Sequence, residues 1–163
     1  LWPGQPLTQH RPGDLIAIKG GSEWVVMVAG DTPTRQAFTV KRLIIELELE
    51  QVCIFLVHLS LKFRHRQYQL RFLHDLIKDS RKPVIVAGDF NVFWGTHEIY
   101  LFMQASGLRS ANELNVPSYP ARAPRVELDF ILVSPGIDVR NFRVPDVRHS
   151  DHRPVICDFE VRP

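Results

Sequence analysis

The sequence predicts a single domain of mixed α/β class. Three observations carry that expectation. Apolar segments of strand length recur along the chain, one amphipathic helical stripe lies between two wholly apolar segments, and clusters of Gly, Pro, Asn and Asp separate them. At 163 residues the chain has about one domain's length, with no repeat and no low-complexity tract. Being 45% hydrophobic and 23% charged, it can bury a sizeable core.

Residues 1–13 read as a loop punctuated by Pro3, Gly4, Pro6, Pro12 and Gly13. Residues 15–18 and 24–29 are strand-like, and Gly20-Gly21 between them suggests a hairpin. In 43–49, Leu43, Ile45, Leu47 and Leu49 share one face with Glu46 and Glu48 opposite, as in a half-buried strand. Residues 52–57 are apolar on both faces and are expected to pair antiparallel with them. Over 64–79 the period becomes helical, with a stripe of Leu70, Leu73 and Ile77 flanked by Phe72 and Leu76. Residues 84–87 form the next apolar strand, completing a strand–helix–strand crossover. Thr96 is placed to cap a helix over 97–105, and Gly107 to end it. Residues 112–125 are a loop holding Pro117, Pro120 and Pro124. Segments 128–133 and 155–161 are read as the last two strands.

Composition excludes some classes of function. Twenty basic and 18 acidic residues leave a formal charge of +2, so any attraction for phosphate must be local. No apolar run approaches the ~18–20 residues needed to span a bilayer, and no secretory signal is visible. Cys53 and Cys157 sit in apolar runs and read as small buried hydrophobes of a reducing, cytoplasmic setting. The chain begins at Leu1 within a Pro/Gly/Gln/Thr-rich stretch, as a fragment of a longer domain would.

Four places carry candidate chemistry. Gly88-Asp89-Phe90-Asn91 directly follows an apolar strand. A carboxylate and a carboxamide two apart there can point the same way, and Gly88 permits close backbone approach by a ligand. Strand C-terminal ends in α/β sheets are frequent ligand sites. The segment can equally be a polar turn. Ser150-Asp151-His152-Arg153-Pro154 offers a carboxylate for a metal and an imidazole for acid–base work, or an exposed loop. Asp129 interrupts an apolar strand; if buried it needs a partner, and a histidine held by one ring nitrogen is the natural one. At a solvated edge it needs none. His58 ends a buried strand and can either donate to a phosphoryl oxygen or be a satisfied core residue. The basic cluster Lys62, Arg64, His65 and Arg66 reads as a solvated helix start, with Arg66 alternatively bracing the site. Arg140, Arg143, Arg148 and Arg153 can face a polyanion or simply solvate a loop.

The ordered set His58-Leu59, Arg66-x-x-Gln69, Gly88-Asp89-Phe90-Asn91, Leu128-Asp129-Phe130-Ile131 and Ser150-Asp151-His152-x-Pro154 resembles the endonuclease/exonuclease/phosphatase superfamily over residues 14–161. Pro117-Ser118-Tyr119-Pro120 is similar to a further family element, with Ser118 where Thr is usual. The resemblance implies a four-layer α/β/β/α sandwich of two mixed sheets. It implies hydrolysis of a phosphoester by water activated on Mg²⁺, with Mn²⁺ as the alternative. Carried over, the catalytic residues are His58, Asp89, Asn91, Asp129 and His152. The metal ligands are Asp89, Asn91 and Asp151, and the substrate-binding cations are Arg66 and Arg153. Asp89 would orient or deprotonate the water, Asn91 would bind the phosphate, His152, held by Asp129, would contact phosphate or move a proton, and His58 would stabilise developing charge.

One departure qualifies this. The family carries an Asn on its first strand and a metal-binding Glu soon after, and neither is found. Glu23 has the wrong context, and Glu46 and Glu48 belong to a later strand. Residues 1–163 are therefore expected to be one domain lacking its first strands. The last strand would then expose an edge that favours self-association. The substrate is a nucleic acid or a smaller phospho-compound, phospholipids included. The alternative is a non-catalytic binding or scaffold domain that keeps the fold.

Overall fold

Strands apolar on both faces need cover on both faces, and that requirement organises the molecule. A computed structural model describes residues 15–20, 23–28 and 43–162. In chain order the strands are β1 (Leu15–Gly20), β2 (Glu23–Val28), β3 (Leu43–Glu48), β4 (Cys53–His58), β5 (Val84–Asp89), β6 (Arg109–Ser110), β7 (Asp129–Val133), β8 (Ile137–Arg143) and β9 (Ile156–Val161). The helices are α1 (Phe63–Asp79), after β4, and α2 (His97–Ser106), after β5. β1 and β2 form the expected antiparallel hairpin.

The main sheet has five strands in the order β3-β4-β5-β7-β6. β3 runs antiparallel to β4, β4 parallel to β5, and β5 antiparallel to β7. The β4–α1–β5 crossover is the one that the change of period from two to 3.6 implies. Phe55, Val57, Val86, Phe90, Phe130 and Leu132 face the helices, where Leu70, Leu73 and Ile77 of α1 and Ile99 and Phe102 of α2 cover them. Ile54, Leu56, Ile85, Ala87, Ile131 and Val133 face the other way, against Ile137, Val139, Phe142, Cys157 and Phe159 of the β8–β9 pair. The described residues thus supply an α layer and two β layers of the sandwich. None of their helices is long and apolar enough to cross a membrane.

Several local expectations change. β8 was not foreseen. Its pairing with β9 shifts register between Val139 and Asn141, which breaks the period-two pattern, and charged residues occupy its outer face. Phe72 does not flank the helix stripe but is exposed, whereas Arg66 is buried on that stripe. Thr96 caps α2 without a side-chain hydrogen bond, while Gly107 ends it at φ 66° as foreseen. The expected loop over residues 1–13 and the upstream Asn and Glu positions lie outside the described residues, as do residues 29–42.

Gly88 is needed for a different reason from the one expected. Its φ is 141°, and a Cβ built there would lie 1.9 Å from the carbonyl oxygen of Val57, its partner on β4. Strand β4, not a ligand, approaches the backbone. We predict that Gly88→Ala costs more than ~4 kcal/mol, because neither backbone can move without breaking the sheet. Denaturant unfolding, or failure to accumulate as soluble protein, measures this; a stability within about 1 kcal/mol of the parent would contradict it.

Both thiols are buried. Burial, reinforced by Glu46, pushes the Cys53 thiol up to about 11, and burial pushes that of Cys157 up to about 11. Both should therefore resist Ellman's reagent at pH 8 in the native state and react once the protein is unfolded in guanidinium. Rapid modification of either thiol in the native protein would contradict this packing.

Candidate active site

Three side chains from three adjacent strands stand on one rung of the sheet. The parallel register sets His58 opposite Asp89, and the antiparallel register sets Asp89 opposite Asp129. Directly opposed residues project to the same face, here the one carrying Leu56, Ala87 and Ile131. His58 Nε2 lies 3.5 Å from Asp89 Oδ2. Asp89 Oδ1 accepts the Asn91 backbone N–H at 2.8 Å. That turn holds Asn91 at φ 55°, a conformation asparagine tolerates better than most residues. Asn91 Nδ2 donates to the Leu59 carbonyl at 2.8 Å, and Leu59 N–H donates to the Asp89 carbonyl at 2.8 Å. The two strand ends are thereby laced together just beyond His58. An amide nitrogen carries two hydrogens, of which the bond to Leu59 uses one.

Asp129 is buried, and its Oδ2 accepts from Ser118 Oγ at 2.6 Å and from His152 Nδ1 at 2.7 Å. Nδ1 then carries the proton, and Nε2 is the nitrogen left for chemistry. Burial of the His152 ring opposes its charge. The hydrogen bond and charge of Asp129, with Asp89 and Asp151, outweigh that and hold the imidazole above its ordinary pKa. The loop bearing His152 is fixed from the Ser118 side: Arg153 N–H donates to the Ser118 carbonyl at 2.8 Å, and Ala121 N–H to the Asp151 carbonyl at 2.7 Å. Tyr119 packs on the His152 ring with centroids 4.8 Å apart, and Phe93 meets Tyr119 edge-on at 5.4 Å. Asn112 steadies the entry to β7 by donating to Glu127 at 2.7 Å and to the Val116 carbonyl at 3.0 Å. Burial pushes the Glu127 carboxyl upward, against the Asn112 hydrogen bond.

The structure therefore brings together His58, Asp89, Asn91, Asp129 and His152. Arg66 is 1% exposed, and its guanidinium is committed to protein groups. Nε donates to Glu98 Oε1 at 2.8 Å, and Nη1 to the carbonyls of Ser60 and Leu61 at 2.8 and 3.0 Å. Gln69 Oε1 accepts Ser60 N–H at 2.8 Å. The Arg66-x-x-Gln69 motif thus braces the loop that follows His58, which is the bracing reading of Arg66. Arg153 likewise donates to the Ala121 carbonyl and pairs with Asp146, both at 2.8 Å. Arg140 pairs with Glu160, Arg143 with Asp158 and Arg148 with Asp146, so these arginines meet carboxylates of the chain itself. Glu98, Asn112 and Glu127 were not singled out by sequence reasoning. Only Glu98 gave a signal, as an acid in the first turn of a helix.

Asp151 is exposed, and its Oδ1 accepts from Ser150 Oγ at 3.0 Å. Among the described residues no three His, Cys, Asp or Glu side chains converge as a metal ion requires.

A model of the Endonuclease/Exonuclease/phosphatase family matches residues 6–152. A UPF0294 protein of Vibrio parahaemolyticus is 24% identical over 159 residues; the match takes in 95% of this chain and 53% of that protein. The chain thus spans about half the length of that relative. An endonuclease/exonuclease/phosphatase family protein from Bacteroides thetaiotaomicron superposes with a TM-score of 0.58 at 24% identity, over 66% of this chain and 49% of its own. The human Nocturnin catalytic domain, solved with a bound sulfate anion, superposes with a TM-score of 0.53 at 27% identity, over 71% of this chain and 51% of its own. With a family model matching most of its length, the chain belongs to the endonuclease/exonuclease/phosphatase family.

Proposed function

We propose that the protein hydrolyses a phosphoester bond at the His58–Asp89–Asp129 rung, with His152 as the fourth member. The observation that carries this reading is the double register. It sets a histidine and two carboxylates level on neighbouring strands, and the second carboxylate holds another histidine by Nδ1. Family membership supports the reaction class, as does a Bacteroides thetaiotaomicron neighbour described as a mannosyl-6-phosphatase.

The roles follow from the chemistry of each group. Asp89, facing His58 and fixed by the Asn91 turn, orients a water molecule and accepts its proton. Asn91 presents its remaining amide hydrogen to a phosphoryl oxygen. Asp129 favours the charged form of His152, whose Nε2 would turn to the phosphoryl oxygens and offset charge that grows as water attacks. His58 would offer a ring N–H to the phosphoryl oxygens from the opposite side of Asp89. Arg66 and Arg153 act by holding the loops that carry these groups. We extend the proposal to a divalent cation, Mg²⁺ or Mn²⁺, to which Asp89, Asn91 and Asp151 would contribute oxygens together with donors outside the described residues. When bound it would supply Lewis acidity at the phosphoryl group.

The test is hydrolysis of bis-p-nitrophenyl phosphate and p-nitrophenyl phosphate by the full-length protein. Asp89→Asn and His152→Ala should each lower kcat by about 10²–10³-fold or more with unchanged melting, whereas Arg140→Ala should leave it within about twofold. Rates unaltered by Asp89→Asn would overturn the assignment and favour a non-catalytic binding domain. Chelation with EDTA should abolish turnover and added Mg²⁺ restore it; full activity in EDTA would remove the cation from the proposal.

A further inference from the structure

The site end of the molecule carries an apolar rim that the hydrolytic chemistry does not use. The loops leaving β4 and β5 both emerge beside the rung and lead into the N-terminal turns of α1 and α2. On them Leu61 is 63% exposed, Phe63 60% and Trp94 93%. Single exposed apolar side chains are ordinary, but several large ones grouped at one end form the kind of patch that marks an interaction surface. Behind them, between the helices, lies a groove of about 650 Å³ lined by Leu70, Leu101, Phe102 and Ala105, with Phe63 and Trp94 at its walls.

The charge around this rim is mostly positive, with Asp75 on the far wall of the groove as its exposed acid. From Gln51 to His74 the sequence contains no Asp or Glu. Lys62, Arg64 and Arg71 are exposed there. None of the three pairs with a carboxylate among the described residues, in contrast to Arg140, Arg143, Arg148 and Arg153, all of which do. Glu98, the acid of the first turn of α2, is taken up by Arg66 and Gln67. Cations left unneutralised beside protruding Leu, Phe and Trp match the headgroup boundary of an anionic bilayer. There the apolar tips bury while Lys and Arg stay with the headgroups.

We propose that this rim docks the protein on an anionic phospholipid surface, bringing the mouth of the site to the membrane interface. A single-stranded nucleic acid would use the same cations and could stack on Phe63 and Trp94. Leu61 and Leu101, however, have no face to stack, and gain only where apolar surface is buried. The docking does not depend on the hydrolase reading, because it is measured without turnover.

The experiment is co-sedimentation of the full-length protein with vesicles of phosphatidylcholine alone and of phosphatidylcholine mixed with phosphatidylglycerol. Binding is expected to the mixed vesicles, weakening as salt rises. Trp94→Ser should reduce it by about tenfold or more. The pair Lys62→Glu and Arg64→Glu, on exposed positions, should do so without altering the melting temperature. Failure to bind either vesicle would overturn the proposal. So would binding untouched by both sets of substitutions, a rim that instead makes the protein dimerise through Trp94, or binding to oligonucleotides in preference to vesicles.

Discussion

The contact on which the rest depends is the approach of β5 to β4 at Gly88. The backbone of Gly88 lies so near the Val57 carbonyl that no side chain fits between them. That closeness fixes the parallel register, and the register alone sets His58 level with Asp89. A slip of one residue would turn Asp89 to the helical face and Phe90 away from it, exchanging a polar site for a buried charge. The antiparallel pairing with β7 then adds Asp129 to the same rung at no further conformational cost. The site is thus a consequence of sheet geometry, with its loops as attachments.

Those attachments are nevertheless held by polar bonds formed mostly inside the protein. Arg66, Glu98, Gln67 and Gln69 tie the loop after His58 to both helices. Ser118 does the equivalent for the other loop, since its hydroxyl reaches Asp129 and its carbonyl receives Arg153. A buried guanidinium is tolerable only where most of its donors are met, as they are here. Removing Glu98 would leave that charge stranded, so the bracing arginine and its acid form one unit. Positioning of this kind is what a site for a crowded phosphoryl transition state requires, because its donors must be in place before charge develops.

Much of this was readable from the residues. The central strands declared themselves by being apolar on both faces, and the crossover helix by its stripe. The five polar residues now found together stood out because each interrupts or ends such a strand or lies in a motif loop. What could not be read depends on pairing between distant positions. Arg66 looked like one more cation of a basic run, because the acid that buries it lies 32 positions further on. Gly88 signalled close approach, but only the fold shows that the neighbour is a strand. β8 escaped notice because its bulge spoils the alternation that marks a strand, and Phe72 was misplaced because an exposed aromatic at helical spacing looks like core.

The central claim is that His58 and His152 face one phosphoryl site across Asp89. The most direct measurement is the histidine ring NMR spectrum of the full-length protein as inorganic phosphate is added. The ring signals of His58 and His152 should shift together, with a common saturation, while those of His65 and His74 stay in place. Phosphate that moved neither ring, or moved only one of the two, would contradict the account.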